Sequence, residues 1–246
     1  MNEKFKIIIP ARYESSRFPG KPLKKILGKE MVIRVADICS KITRKKNIII
    51  ATDNNLIKKT CENFGYRALM TPKSCKTGTD RCYQAAKKIK TNFYINVQGD
   101  EPLIKPSDIL KVIKAKKKFR DHVICGYTNA SYKEANSLNV PKVLINKFSE
   151  LIYMSRSLIP GCKNFKQKKK LNYLKQVCIY AFNFKELKEF YNYGKKSLIE
   201  KYEDIEILRF FEIKKPIKMV KLSKSSVAVD ISSDIAKVSK ILGRKK

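Results

Sequence analysis

Short runs of β-branched and aromatic residues alternate, through the first half of the chain, with longer stretches in which apolar positions recur every three or four residues. The runs at 6–9, 47–51, 67–70 and 93–97 are bounded by charged or turn-forming residues and predict strands. Between them, 31–42, 54–64 and 80–90 carry helical spacing, with Asn54 at a helix start just behind Asp53. Pro106-Ser107-Asp108 opens a further helix reaching about residue 117. Alternation at this spacing predicts βαβ units and a mostly parallel sheet flanked by helices. The second half is less regular, with strands predicted over 123–127, 143–145, 177–182 and 217–222 and helices over 184–193, 203–211 and 233–242. One compact unit is expected, with an insertion-like α+β part at about 125–215 between a regular part (about 1–124) and a returning strand and helix (about 216–246).

Parallel sheets bind ligands beyond the carboxyl ends of their strands. Arg12, Asp53 and Asp100 each fall just after a predicted strand. The first exit is the most informative: Pro10-Ala11-Arg12-Tyr13-Glu14-Ser15-Ser16-Arg17-Phe18-Pro19-Gly20-Lys21. A rigid strand launches three cations, Arg12, Arg17 and Lys21, that can converge on a polyphosphate; without a GxxxxGK[ST] string the loop is not a Walker A loop. Read alone, it could be a basic surface loop. In Asn96-Val97-Gln98-Gly99-Asp100-Glu101-Pro102 a carboxylate after a strand can hold Mg²⁺ against a phosphate, or can be a turn or capping aspartate. In Thr77-Gly78-Thr79-Asp80-Arg81, a helix N-cap by Thr79 or Asp80 is the plain alternative to ligand contact.

Composition narrows the classes. With 246 residues, 43% of them hydrophobic, the chain can bury a sizeable core. No apolar run approaches the length of a membrane span, and the N-terminal residues lead directly into the first strand, so a cytoplasmic protein without membrane contact is expected. The net charge of +33 invites a nucleic-acid partner, yet the cations are dispersed along the chain and mostly lysine, and RNP1 and GXXG patterns are absent; nucleic acid is not the expected ligand. The densest basic cluster, at 166–170, reads as a solvated loop. Seven dispersed cysteines without a CxxC pair argue against a zinc site or a disulfide framework, and the sole histidine, His122, reads as structural.

The first loop, together with NVQGDEP at 96–102, closely resembles the CMP-Kdo synthetases, the 3-deoxy-manno-octulosonate cytidylyltransferases. Thr77–Arg81 is similar to that family's SGTER segment, and Ala51-Thr52-Asp53 to its ATD. Tyr153–Pro160 resembles YFSRATIP, and Val229-Asp230 falls in a string similar to GVDTPED. The resemblance implies an α/β nucleotidyltransferase fold, a Rossmann-like mostly parallel sheet with an inserted sugar-binding and dimerisation subdomain. It implies that CTP is coupled to a 2-keto-3-deoxy sugar acid with release of pyrophosphate, and that the protein is a homodimer. Arg12, Lys21 and Asp100 are the implied catalytic residues. Pro10, Ala11, Arg12, Arg17, Lys21, Thr52, Asp53, Thr77, Gly78, Arg81 and Gln98 are the implied nucleotide site. Gln98, Arg156, Gln176, Tyr180, Glu203 and Glu206 are implied for the sugar, with Arg156 on its carboxylate, and Asp100 and Asp230 for Mg²⁺.

The chain departs from the family pattern where the sugar is gripped. Gln176 stands in place of a histidine, and Ile207 in place of a glutamine within the segment resembling LExIExLEQLR. Either these positions read different sugar substituents, such as those of 8-amino-Kdo or another ulosonic acid, or they are drift compensated by neighbours. The rival of another class is a catalytically idle relative that binds polyanions through its basic surface.

Overall fold

The computed structural model describes residues 4–14, 18–164, 169–223, 228, 229 and 231–243. In chain order its elements are β1 (Phe5–Ala11), β2 (Lys25–Ile26), β3 (Lys29–Glu30), α1 (Met31–Ser40), β4 (Ile48–Thr52), α2 (Asn55–Asn63), β5 (Arg67–Met70), α3 (Gly78–Ala86), β6 (Phe93–Val97) and α4 (Pro106–Lys118). The second half adds β7 (Val123–Ala130), α5 (Tyr132–Ala135), β8 (Lys142–Ile145), β9 (Leu151–Ser155), β10 (Tyr173–Phe182), α6 (Phe184–Asn192), α7 (Leu198–Glu203), α8 (Leu208–Glu212), β11 (Ile217–Lys221) and α9 (Ser232–Gly243).

Isoleucines 7, 8 and 9 on β1 and 48, 49 and 50 on β4 are fully buried, because these strands are covered on both faces. The main sheet runs β11-β7-β10-β6-β1-β4-β5, with the β8–β9 hairpin attached through β10. β1 pairs in parallel with β4 on one side and β6 on the other, while β10 runs antiparallel between β6 and β7. Period-two alternation sends Ile7 and Ile9 into one core, with α1, α2 and α4, and Ile8 into the other, with α3, α6 and α8. A small third cluster packs α9 through Val238 against Ile26, Met31, Leu103 and Val229.

The chain moves from β1 outward through β4 and β5, then returns to place β6 on the opposite side of β1. That reversal opens a crevice at the carboxyl ends of β1, β4 and β6. The expected inserted part divides: β7 and β10 lie within the main sheet, whereas β8 and β9 form the appended hairpin.

Two expectations are corrected. The helix predicted over 203–211 is interrupted, with α7 ending at Asp204 in a left-handed conformation (φ 48°) and α8 starting at Leu208. Glu203 and Glu206 are drawn to separate tertiary partners across that break, which outweighs helical spacing. The cap of α3 is Thr77, ahead of the predicted Thr79 or Asp80: its hydroxyl accepts from Asp80 N–H while the Asp80 carboxylate accepts from Thr77 N–H.

Candidate active site

The crevice is built from three chain segments with no room between them. A Cβ on Gly99 would lie 3.0 Å from the Pro10 carbonyl oxygen, and one on Gly78 would lie 3.1 Å from Gln98 Nε2 and 3.3 Å from Pro10 Cγ. The exits of β1 and β6 and the start of α3 therefore lie so close that a side chain at either glycine would force a neighbour to shift. Gly20 closes the first loop: its N–H donates to the Tyr13 carbonyl at 2.9 Å, and its φ of 67° suits glycine. The closure returns Lys21 to the crevice. There its ammonium donates to Asp100 Oδ2 at 2.6 Å and to the Val229 carbonyl at 2.9 Å. Val229 N–H in turn donates to the Asp100 carbonyl at 2.9 Å, so the chain entering α9 is fastened beside Asp100. Arg12 is exposed at the rim, directly after the buried Ala11. Arg17, Asp230, Lys166 and Lys168 lie outside the described residues.

Of the residues expected to hold the sugar, Glu206 meets Gln98 across the fold and Gln176 meets Tyr180 along β10. Glu206 Oε2 accepts from Thr79 N–H in the first turn of α3 at 3.0 Å, and Oε1 accepts from Gln98 Nε2 at 3.2 Å. Burial raises the Glu206 carboxyl above its ordinary 4.5, and nearby Asp80 adds to this; the Thr79 N–H acts against it. Gln176 Nε2 donates to the Tyr180 hydroxyl at 3.0 Å, and Tyr180 is itself buried. Burial lifts the Tyr180 phenol well above its ordinary range, so it stays protonated.

Several expected ligand contacts take other partners. The Arg81 guanidinium is buried and donates to Asp53 Oδ2 at 2.8 Å and Thr71 Oγ1 at 2.5 Å, so it braces the crevice from within. Asp53 Oδ1 accepts from Tyr13 N–H at 3.1 Å, which fixes the loop immediately after Arg12. Thr52 is fully buried; its hydroxyl accepts from Asn54 N–H and its carbonyl from Thr71. Arg156 uses three of its five donors on the carbonyls of Leu138, Glu203 and Asp204. Glu203 accepts from Arg156 N–H at 2.7 Å and Ser155 Oγ at 2.6 Å, shaping the turn before Glu206. Ile207 is fully buried among the apolar side chains of the α3–α6–α8 face, so its departure from the family glutamine is a packing change and not a pocket wall.

Sequence reasoning passed over the ion network beneath the site. Arg209, 1% exposed, donates to both Glu200 oxygens at 2.7 Å and to Asp80 Oδ1 at 2.8 Å, and lies 3.8 Å over the Phe190 ring. Pairing partners from three helices gives no local signal; only the coincidence of Asp80, Glu200 and Arg209 within recognised strings could have drawn attention to them.

As a cation site, Asp100 offers hard oxygen donors at a partly exposed rim, and no group of three or more His, Cys, Asp or Glu able to hold a metal occurs among the described residues. One carboxylate plus substrate phosphate and water oxygens is a donor set that suits Mg²⁺. The residues present therefore fit a cation shared between protein and nucleotide.

Residues 6–219 match the family model described as Cytidylyltransferase. The chain is 32% identical over 244 residues to the 3-deoxy-manno-octulosonate cytidylyltransferase of Escherichia coli, covering 97% of this chain and 96% of that one. It is 35% identical over 238 residues to the mitochondrial enzyme of that name from Arabidopsis thaliana, covering 96% and 82%. A solved structure of CMP:2-keto-3-deoxy-manno-octonic acid synthetase complexed with CTP superposes with a TM-score of 0.90 at 32% identity, over 99% of this chain and all of that one. A 4-diphosphocytidyl-2C-methyl-D-erythritol synthase from Anaerococcus prevotii shares the fold, with a TM-score of 0.63 at 16% identity.

Proposed function

Because the chain belongs to the cytidylyltransferase family, we propose that it couples CTP to 3-deoxy-manno-octulosonate, giving the CMP-sugar and pyrophosphate for surface-polysaccharide synthesis. The observation that carries this reading is the Lys21–Asp100 pair, brought across 79 residues of sequence into the crevice where β1 and β6 diverge. An ammonium and a carboxylate held together at the carboxyl end of a parallel sheet are groups that serve phosphoryl-type transfer by positioning and charge neutralisation.

In this mechanism the anomeric hydroxyl of the sugar attacks the α-phosphate, the α–β bond breaks, and pyrophosphate leaves. Arg12 and Lys21 neutralise the triphosphate and the departing pyrophosphate, with Arg17 from the same loop. Pro10, Ala11, Gly78 and Gln98 form the close-packed floor against which the nucleotide lies. Asp100, with Asp230 next in chain to the fastened Val229, would hold Mg²⁺. The chemistry this cation supplies when bound is polarisation of the α-phosphate and a lowered pKa for the attacking hydroxyl. Glu206, Gln98 and Gln176 accept from and donate to sugar hydroxyls, and the remaining N–H groups of Arg156 meet the sugar carboxylate.

The reading extends to a cytoplasmic homodimer. The seven cysteines are unpaired, which suits a reducing compartment, and no helix among the described residues is long and apolar enough to cross a membrane. A groove of about 780 Å³, whose apolar Leu151, Leu198, Ile199, Phe211, Pro216 and Ile217 are rimmed by two glutamates and two lysines, supports burial of that face against a second copy. Light scattering of Leu198→Glu, at a side chain 63% exposed, is expected to read a monomer where the parent reads a dimer.

The functional test is pyrophosphate release with CTP and Mg²⁺ against 3-deoxy-manno-octulosonate, its 8-amino analogue and sialic acid. Turnover with 3-deoxy-manno-octulosonate is expected. Turnover with another acid alone would move the assignment and mark Gln176 as the discriminating position; silence with all three would remove it.

A further inference from the structure

The first turn of α3 is joined to both sides of the crevice by adjacent residues pointing opposite ways. Arg81 reaches the β4 exit: Nη2 to Asp53 Oδ2 at 2.8 Å, with Asp53 Oδ1 receiving Tyr13 N–H at 3.1 Å. The Arg81–Asp53 pair is nearly closed to solvent, with side chains 3% and 10% exposed. The loop it holds carries Arg12. Asp80 reaches the other way: Oδ2 closes the Thr77 cap, and Oδ1 receives Arg209 Nη1 at 2.8 Å. Arg209 grips Glu200 on α7 through two bonds of 2.7 Å. It therefore braces both ends of the turn 204–207, from which Glu206 projects onto Thr79 N–H and Gln98.

A planar guanidinium that satisfies carboxylates from two other elements fixes direction as well as distance. Replacing it leaves buried carboxylates without their partner, and the segments they hold then relax. We propose that Asp80 and Arg81 are positioning residues that divide control of the site: Arg81, through Asp53, sets the loop that binds the nucleotide, and Asp80, through Arg209, sets the turn that binds the sugar acid. The inference rests on the function proposed above, and it assigns to these side chains no contact with substrate.

Steady-state kinetics with each substrate varied against saturation of the other, on Arg81→Met, Arg209→Met and Arg209→Lys, tests the division. Misplacing a binding group by about 1 Å can cost up to about a hundredfold. Arg81→Met is accordingly expected to raise the KM for CTP by about tenfold or more and to leave that for the sugar acid within about twofold. Arg209→Met is expected to do the reverse. Arg209→Lys retains charge but not the planar fork, so it recovers most of the melting temperature while the sugar KM stays raised. Equal rises in both constants, or a lowered melting temperature with both constants unchanged, would overturn the division and leave these pairs as general stabilisers. If Arg209→Met fails to fold, Arg209→Lys supplies the same comparison. If the parent protein releases no pyrophosphate, the functional reading has failed on its own. The nucleotide half is then decided by calorimetric titration with CTP, which Arg81→Met weakens and Arg209→Lys does not.

Discussion

Asp100→Asn separates the observed bond to Lys21 from the cation-holding role proposed for the same carboxylate. In the crevice the Lys21 ammonium lies 2.6 Å from Asp100 Oδ2, with the two side chains 14% and 29% exposed. A triphosphate must compete for the same ammonium. Solvent reaches both partners in part, so their attraction is worth about 1 kcal/mol. Asparagine keeps the volume and removes the charge, releasing Lys21 to the phosphates. About 1 kcal/mol corresponds to about fivefold tighter CTP binding without metal. Turnover moves the other way. A neutral amide is a poor partner for a hard dication, and losing transition-state charge stabilisation worth about 4 kcal/mol lowers the rate by about a thousandfold. Calorimetric titration of CTP in EDTA gives the first quantity, and pyrophosphate release with Mg²⁺ gives the second. Thermal melting should show a loss of about 1 kcal/mol or less, since the pair is partly exposed. Metal-free CTP affinity that falls on substitution would refute the competition between Asp100 and phosphate for Lys21. Near-normal turnover would refute Asp100 as the cation ligand.

Two further predictions concern a half-buried carboxylate at the crevice and a buried ion pair at the opposite end of the sheet. The Glu206 carboxyl is raised by burial, so between its ordinary 4.5 and its raised folded value the native state binds more protons than the unfolded chain. Folding stability from this group therefore falls as pH rises through that window. Glu206→Gln should flatten the decline and stabilise the protein at pH 7.5 relative to the parent while weakening the sugar KM; denaturant melts at both pH limits, showing parallel curves, would contradict this. Lys116, 1% exposed, donates to both Glu186 oxygens and to the carbonyls of Arg120 and His122 at 2.7–2.9 Å. Burial pushes the Lys116 pKa down and the Glu186 pKa up, each opposed by the partner's charge. Lys116→Met should cost about 3–5 kcal/mol by stranding the Glu186 carboxylate, and adding Glu186→Gln should recover part of it; a double variant no more stable than the single would show that the loss lies in packing.

The framework of this protein is legible in its residues taken in order. Runs such as Ile7-Ile8-Ile9 and Ile48-Ile49-Ile50 are covered on both faces and admit only a central parallel strand. Helix boundaries carried by local chemistry, such as Asn54 capping α2 and Pro106 opening α4, are equally plain, because capping acts over three residues. The placement of Arg12, Asp53 and Asp100 at strand ends followed from the same pattern. What each charged group touches did not. Arg81 lies within a recognised nucleotide string yet turns inward to Asp53, and Arg156 meets carbonyls from residues 138, 203 and 204. The helical spacing of 203–211 is broken at Asp204, where Glu203 and Glu206 leave for different partners. Hydrophobic period and turn chemistry are properties of neighbouring residues, so the sequence alone determines the strands, most helix limits and the end of the sheet at which Arg12, Asp53 and Asp100 emerge. The destination of a buried charge depends on which opposite charge the folded chain brings within about 3 Å, and bonding partners such as Asp80 and Arg209 are separated by 129 residues. Only the tertiary structure could decide which of the charged residues bond to one another and which stay exposed at the crevice.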